Sequence, residues 1–416
     1  MQGDIGYGPP QRRRGRGSWL THTVVAVLAA GLAVAVVVGF FSPASGGSLP
    51  GSGAVPAPPA SAAPLARGEQ DMVNKVKPGL VIINTALQYN SEAAAGTGMV
   101  INADGLVLTN NHVIEDSTRI TATVISTGKT YQARVVGYDK TGDIALIQLK
   151  NASGLATVPI GNSSSARVGD AAVAMGNAEG QSRIKVTAGH ITALNTTITA
   201  SDEAGSTTTE TLHGMIQTNA DIVPGDSGGP LANSAGVIGM DTAGNDSGDQ
   251  QGPAAGFAIP INTALSVARQ IAAGHASSVI TVGYPPFLGI FIGSGSSSNP
   301  QTQAQQQERR NGGSGGSGST QRCYSSNADL TTPSVIAPVS SGTLIDGTIC
   351  RSPAASAGMT GGAVITAVNG QAVGSPDDFA KLMTRFHPGN TISVTWVGPS
   401  GQRTTSSLHL TAGPPQ

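Results

Sequence analysis

The feature that most constrains the fold is how apolar residues are distributed between Glu69 and about Gly274. They come in short runs, namely Leu80–Thr85, Gly98–Ile101, Leu106–Leu108, Ile120–Ile125, Ile144–Leu149 and Ala171–Ala174, each followed by turn-forming residues. Runs of this length predict strands, and many of them at this spacing predict paired barrels or a sandwich. Asn102-Ala103-Asp104-Gly105 and Ser126-Thr127-Gly128-Lys129 sit between runs as hairpin turns. With 57 Gly, 25 Pro and only 4% aromatic residues among 416, the chain suits a turn-rich β protein with linkers. One helix closes the region. Asn262 is its expected cap, Leu265, Ala268 and Ile271/Ala272 form its apolar stripe, and Gly274 ends it.

The segments outside this region differ. Val24 to Phe41 is apolar throughout, and Trp19 to Thr23 extends it without a charge. A helix over this stretch would span a hydrocarbon core of about 30 Å. Arg12, Arg13, Arg14 and Arg16 precede it and would stay in the cytoplasm, so the rest of the chain faces outward. A cleaved leader ending near Ser42-Pro43-Ala44 is the alternative, but the run exceeds the ~7–15 residues usual there, which favours a retained anchor. Residues from Ser42 to about Arg67 are Pro, Ala, Gly and Ser, the composition of an extended tether. Ser294 to Thr320 is rich in Gly, Ser, Gln and Asn and is expected to be a flexible loop or linker. A second domain follows, with a helix at Asp377–Phe386 between Ser375-Pro376 and His387-Pro388-Gly389. Its strands are expected at Ala363–Val368, Ile392–Val397 and Ser406–Leu410.

Charge excludes some functions. Lys and Arg number 23 against 24 Asp and Glu, which argues against a general nucleic-acid binder. The two cysteines, Cys323 and Cys350, match no zinc pattern; outside the cell they could form one disulfide. No metal or cofactor is called for.

The chemistry is concentrated in Gly225-Asp226-Ser227-Gly228-Gly229-Pro230. A serine hydroxyl is a poor nucleophile without a base and a place for the oxyanion. Glycines on both sides allow a tight backbone that exposes the hydroxyl and aims amide N–H groups at one point. The amides of Gly225 and Ser227 are the expected oxyanion donors, each typically worth ~2.7–4 kcal/mol in a transition state. Among the histidines, His112 lies just past the apolar run Leu106–Leu108, a rigid mount at a strand end. His190 alternates with apolar residues, as a packed strand histidine does, and His213 and His275 look like surface positions. The acid expected to orient His112 is Asp143, which directly precedes the buried run Ile144–Leu149 and so needs a partner. Asp139 and Asp116 are the alternatives, both in turns.

Thr109-Asn110-Asn111-His112-Val113-Ile114, Gly142-Asp143-Ile144-Ala145-Leu146-Ile147-Gln148-Leu149 and Gly225-Asp226-Ser227-Gly228-Gly229 together resemble the HtrA (DegP/DegS) family of serine proteases, closest to its membrane-anchored or secreted actinobacterial members. Gly256-Phe257-Ala258-Ile259-Pro260 is similar to that family's closing strand and helix entry. The resemblance implies a mostly β chain: a chymotrypsin/trypsin-like double β-barrel protease domain followed by a PDZ domain, with an N-terminal transmembrane helix. The implied boundaries are a basic tail at 1–18, an anchor at 19–41 and a disordered linker at 42–68. The protease domain then occupies 69–275, a linker 276–283, and the PDZ domain 284–412, with a flexible insert at about 293–341.

The resemblance further implies that the amides of Leu288, Gly289 and Ile290 hold a peptide C-terminus, which would add as a strand. It implies an acyl-enzyme endopeptidase acting on misfolded or envelope proteins, a homotrimer, and regulation through the PDZ domain. The insert after Ile292, a departure from the family, carries Cys323, whose expected partner is Cys350. Two further departures stand out: Asp226 replaces the family's usual Asn, and Asp221 lies where trypsin-like enzymes place an acid that receives Lys or Arg. Cleavage after small aliphatic residues, the family habit, and cleavage after basic residues therefore both remain open. Ala255, Gly256, Phe257 and Ala258 are the expected partners of the substrate strand. The rival readings are a non-proteolytic chaperone or scaffold binding exposed C-termini, and a hydrolase of small esters.

Overall fold

The computed structural model describes residues 65–87, 92–201, 209–244, 255–293, 296–310, 323–327 and 330–415. The expected basic tail, membrane segment and most of the tether lie outside the described residues. Among the described residues, no helix is long and apolar enough to cross a membrane.

The chain opens with α1 (Arg67–Val76), then β1 (Leu80–Leu87), β2 (Glu92–Asn102), β3 (Leu106–Thr109), β4 (Arg119–Val124), β5 (Thr130–Asp139) and β6 (Ile144–Leu149). These strands follow one another in the order β5-β4-β1-β2-β3-β6, and a further β5–β6 pairing closes the barrel. A second closed barrel comprises β7 (Ala171–Gly176), β8 (Lys185–Ser201), β9 (Thr209–Thr218), β10 (Pro230–Asn233), β11 (Gly236–Gly244) and β12 (Gly256–Pro260). It leads into α2 (Ile261–Ala272) and β13 (Ile280–Val282).

Alternation along the strands explains the packing. In β6, Ala145, Ile147 and Leu149 fill the first barrel, while Ile144 and Leu146 face the opposite way into a shared core. That core also takes Val173, Met175, Met215, Met240 and Ile259 from the second barrel, and Met72, Val73 and Val76 from α1. Strand β6 therefore buries apolar side chains on both faces, with Gln148 its one polar residue, and fully burying each of its Ile and Leu side chains contributes about 1.5–3 kcal/mol.

Several expectations need correction. The tether was expected to run to residue 68, but Arg67 and Gly68 already lie in α1, whose Glu69 side chain accepts from the Ala66 amide at 2.7 Å. Asn262 does not cap α2: the N-cap is Pro260, and the Asn262 side chain donates to Asn162 Oδ1 and Ser164 Oγ. The expected linker 276–283 contains β13, which adds to the edge of β5 because Ile280 is buried against the shared core.

The remainder contains β14 (Pro286–Phe287), β15 (Ile290–Phe291), α3 (Pro300–Arg310), β16 (Thr343–Leu344), β17 (Gly347–Thr348) and α4 (Pro353–Ser356). It continues with β18 (Val364–Val368), β19 (Gln371–Ala372), α5 (Pro376–Met383), β20 (Thr391–Val397), β21 (Arg403–His409) and β22 (Thr411–Ala412). A sheet in the order β16-β18-β20-β21 packs its Ile365, Val394, Trp396 and Leu408 against Phe379 and Leu382 of α5. Helix α5 begins at Pro376, capped by Ser375, and stops short of Phe386.

The Gly- and Gln-rich stretch expected to be flexible includes α3. Its Ala304 is buried beside Leu344, Val364 and Val397. Gln303 covers the edge of β16, donating to Gly342 O at 2.7 Å and accepting from the Leu344 amide at 2.8 Å. A disulfide joins Cys323 and Cys350.

Candidate active site

Three loops meet beside the shared core. Strand β3 delivers His112, the turn before β6 delivers Asp143, and the loop between β9 and β10 delivers Ser227. His112 Nδ1 lies 2.9 Å from Asp143 Oδ2 and 3.0 Å from Oδ1, and the His112 amide donates to Oδ1 at 3.1 Å. Thr242 Oγ1 donates to Asp143 Oδ2. Asp143 is only 2% exposed, so these donors satisfy a carboxylate that burial would otherwise penalise. Its backbone is held too, since Asn110 Nδ2 donates to the Asp143 carbonyl at 2.9 Å.

Asp139 and Asp116 take other roles. Asp139 Oδ1 accepts from the Gly142 amide at 3.0 Å and shapes the turn that presents Asp143; burial raises its pKa. Asp116 turns the chain at φ 54°, and its amide donates to the Pro415 carbonyl.

The serine loop is pinned carbonyl by carbonyl. Val223 O accepts from the Asp226 amide, Pro224 O from Glu179, Asp226 O from Gly229, and Ser227 O from Thr97. Gly225 O accepts from Thr97 Oγ1 at 2.8 Å. The amides of Gly225 and Ser227 make no hydrogen bond among the described residues, the arrangement an oxyanion hole needs. Gly228 has φ 82°, and a Cβ there would lie 2.1 Å from Thr97 O, so only glycine lets the two barrels approach this closely. Ser227 Oγ donates to the Thr242 carbonyl at 3.0 Å.

Behind the loop the polar balance reverses. Asp226 Oδ2 accepts from the Val223 amide, but its Oδ1 is buried without a partner among the described residues. Both carboxyl oxygens of Asp241 and both side-chain polar atoms of Asn177 are likewise buried and unpartnered. Burial pushes Asp226 up to about 6. Burial, and then the neighbouring charge of Asp226, pushes Asp241 well above the usual carboxylate range.

Other expected site residues fall elsewhere. His190 lies on β8 but is exposed rather than packed, because its side chain is on the outer face of the barrel. His213 and His275 are exposed, as expected. Asp221 is also exposed and lies 3.4 Å from Lys185 Nζ, so it does not form the floor of a closed pocket. Gly256, Phe257 and Ala258 cannot pair with a substrate strand, since β12 is bonded to β11 on one edge and to β9 on the other. Thr242 was missed: it lies 99 residues from Asp143 in sequence, and no local pattern marks it.

Comparison with known proteins agrees with this geometry. The trypsin-like peptidase domain family matches residues 96–240. Serine protease PepD of Mycobacterium tuberculosis is 32% identical over 96% of this chain and 79% of its own length. The periplasmic pH-dependent serine endoprotease DegQ of Escherichia coli is 40% identical over 42% of this chain, and the match spans only 37% of DegQ. A solved structure of the HtrA-type protease AlgW with a decapeptide is 25% identical, covers 84% of this chain and 99% of that one, and has a TM-score of 0.42. The trypsin-like peptidase domain and a PepD match along nearly the whole length mean that this chain is a serine endopeptidase of the HtrA family.

Proposed function

We propose that this extracytoplasmic endopeptidase cleaves proteins through an acyl-enzyme, with Ser227 as nucleophile, His112 as base and then acid, and Asp143 as its orienting carboxylate. The observation that carries the reading is the 2.9 Å contact between His112 Nδ1 and Asp143, set beside a serine loop with two uncommitted amides. With Nδ1–H donating to the carboxylate, Nε2 is the nitrogen that takes the Ser227 proton. The hydroxyl then attacks the scissile carbonyl, and the amides of Gly225 and Ser227 stabilise the oxyanion. His112 returns the proton to the leaving amine, and water repeats the cycle to release the acyl group. The acyl-side residues of the substrate lie along Thr242–Gly244, where β11 extends past its pairing with β10. The exposed position of Asp221 favours small aliphatic residues at the cleavage point over basic ones.

The C-terminal part acts as a PDZ domain. Leu288 O accepts from the Ala354 amide and Gly289 O from the Ile349 amide, so the trans amides of Gly289 and Ile290 point the other way, toward a peptide carboxylate. Gly289 has φ 78°, and a Cβ there would meet Ser352 Cβ at 2.1 Å, which supports a loop built for backbone recognition. Residues 19–41 anchor the chain in the membrane, and the molecule assembles as a homotrimer that clears misfolded envelope proteins.

The test is mass-spectrometric mapping of cuts in a denatured protein by the full chain and by Ser227→Ala. The reading expects cuts after Val, Ala or Ile, all lost in the variant. Cuts that survive in Ser227→Ala would overturn the catalytic assignment, and cuts clustered after Lys or Arg would restore Asp221 as a selector.

A further inference from the structure

We propose that Thr97 is a positioning residue that sets the oxyanion hole from the opposite barrel. The proposal rests on the catalytic reading of Ser227 given above. Thr97 lies in β2 of the first barrel and is 0% exposed. Its hydroxyl donates to Gly225 O at 2.8 Å and accepts from the Asn177 amide at 2.8 Å. Its amide donates to Ser227 O at 2.9 Å, and its carbonyl accepts from Thr109 Oγ1 at 2.7 Å. All of its polar groups are therefore engaged, and two of them hold the residues whose amides form the hole.

The geometry of a short loop explains why this matters. A carbonyl oxygen shares one peptide plane with the following amide, so by holding Gly225 O and Ser227 O, Thr97 fixes the planes on either side of the one that carries the Ser227 amide. Of the carbonyls from Val223 to Ser227, those of Val223 and Asp226 are held within the loop and its immediate continuation. Pro224 O is held by Glu179 from the second barrel. Gly225 O and Ser227 O are held by Thr97 alone, and the positive φ of Gly225, 95°, leaves that residue no side chain to restrain it. The same hydroxyl ties Asn177, where β7 ends, to the loop. Through Thr109, the contact runs along β3 toward His112. Thr97 thus fixes the spacing between the nucleophile's barrel and the base's barrel.

A residue that only orients oxyanion donors acts on the transition state more than on substrate binding. Removing one oxyanion donor directly costs about 100–1,000-fold in kcat. Loss of a residue that braces the peptide planes next to them should fall below that, at roughly 10–100-fold. The experiment measures kcat and KM on a peptide substrate for the full chain, Thr97→Val, Thr97→Ser and Thr85→Val. Thr85 is buried in β1, and its hydroxyl donates to Ala94 O, so it controls for loss of a buried hydroxyl in the same barrel.

The expected result is a kcat drop of roughly 10–100-fold for Thr97→Val with KM changed less than about 3-fold. Thr97→Ser should stay within about 3-fold of the parent chain, and Thr85→Val should leave kcat unchanged. A peptide boronate, which mimics the tetrahedral state, should lose affinity for Thr97→Val by a similar factor. Full kcat in a folded Thr97→Val, or an equal loss in Thr85→Val, overturns the proposal. If the valine variant does not fold, Thr97→Cys replaces it, keeping the volume while weakening the donor, and the same kcat criterion applies. Failure of the parent reading is separate: it appears as turnover that Ser227→Ala does not abolish.

Discussion

Asp143 and Asp241 are both buried carboxyls, and their opposite treatment explains much of the site. Asp143 accepts from His112 and Thr242, whereas Asp241 has no donor for either oxygen among the described residues, and burial raises its pKa well above the usual carboxylate range. Thr242 should therefore matter to catalysis: Thr242→Val removes a donor to Asp143 and is expected to lower kcat about 10-fold with little change in KM, measured by steady-state kinetics. Asp226, raised to about 6 by burial, keeps one unsatisfied oxygen, and Asn in its place retains an oxygen for the Val223 amide without the buried charge. Asp226→Asn is expected to melt higher than the parent at pH 8 and equally at pH 4, read by calorimetry. At this scale His112, Asp143 and Ser227 were legible because each sits in a short string with its own chemical logic. Thr97 and Thr242 were not, because their partners lie in loops and turns far away in sequence, and a threonine in a strand is unremarked by any local rule.

Among the elements, those with continuous apolar runs were the easiest to anticipate. Strand β6 was legible because its alternate apolar side chains enter two different cores, so that Gln148 is its one polar position. Strand β8 was anticipated only around His190 and β9 not at all, since their outward positions carry Thr, Asn and Lys and break the runs. Helix α3 was hidden by its glutamines, which look like linker composition until Gln303 is seen both donating to and accepting from the edge of β16. Gln303→Ala leaves the Leu344 amide and the Gly342 carbonyl without that partner and is expected to destabilise the docking of α3 by about 1–3 kcal/mol. Hydrogen exchange should show the Leu344 amide losing protection while amides of β6 keep theirs.

Across the whole molecule, the buried carboxyls impose a common pH dependence. Asp139, Asp226, Asp241 and Asp346 all have folded pKa values raised by burial, with Asp346 at about 7. An unfolded chain ionises these groups near pH 4 and the folded one later, so it is the folded state that binds more protons in between. Their contribution to stability is full below the unfolded pKa and is lost as pH rises through the folded values, from about 4 to about 7. Asp346→Asn should flatten the loss of melting temperature between pH 5 and pH 8, and an unchanged slope would count against this assignment. The sequence anticipated the two-barrel plan, and it led to the expectation of a separate C-terminal part. It could not anticipate how far the two are joined, because β13 on the edge of β5 and Pro415 on Asp116 are long-range contacts made by short, unpatterned segments.

The most direct measurement is the reaction of the folded full chain with a fluorophosphonate probe, mapped to the modified residue by mass spectrometry. Modification at Ser227, abolished by unfolding in urea and slowed at least ~100-fold in His112→Ala, is the predicted result. Labelling of a different serine, or labelling of Ser227 at the same rate with and without His112, would contradict a nucleophile activated across the two barrels.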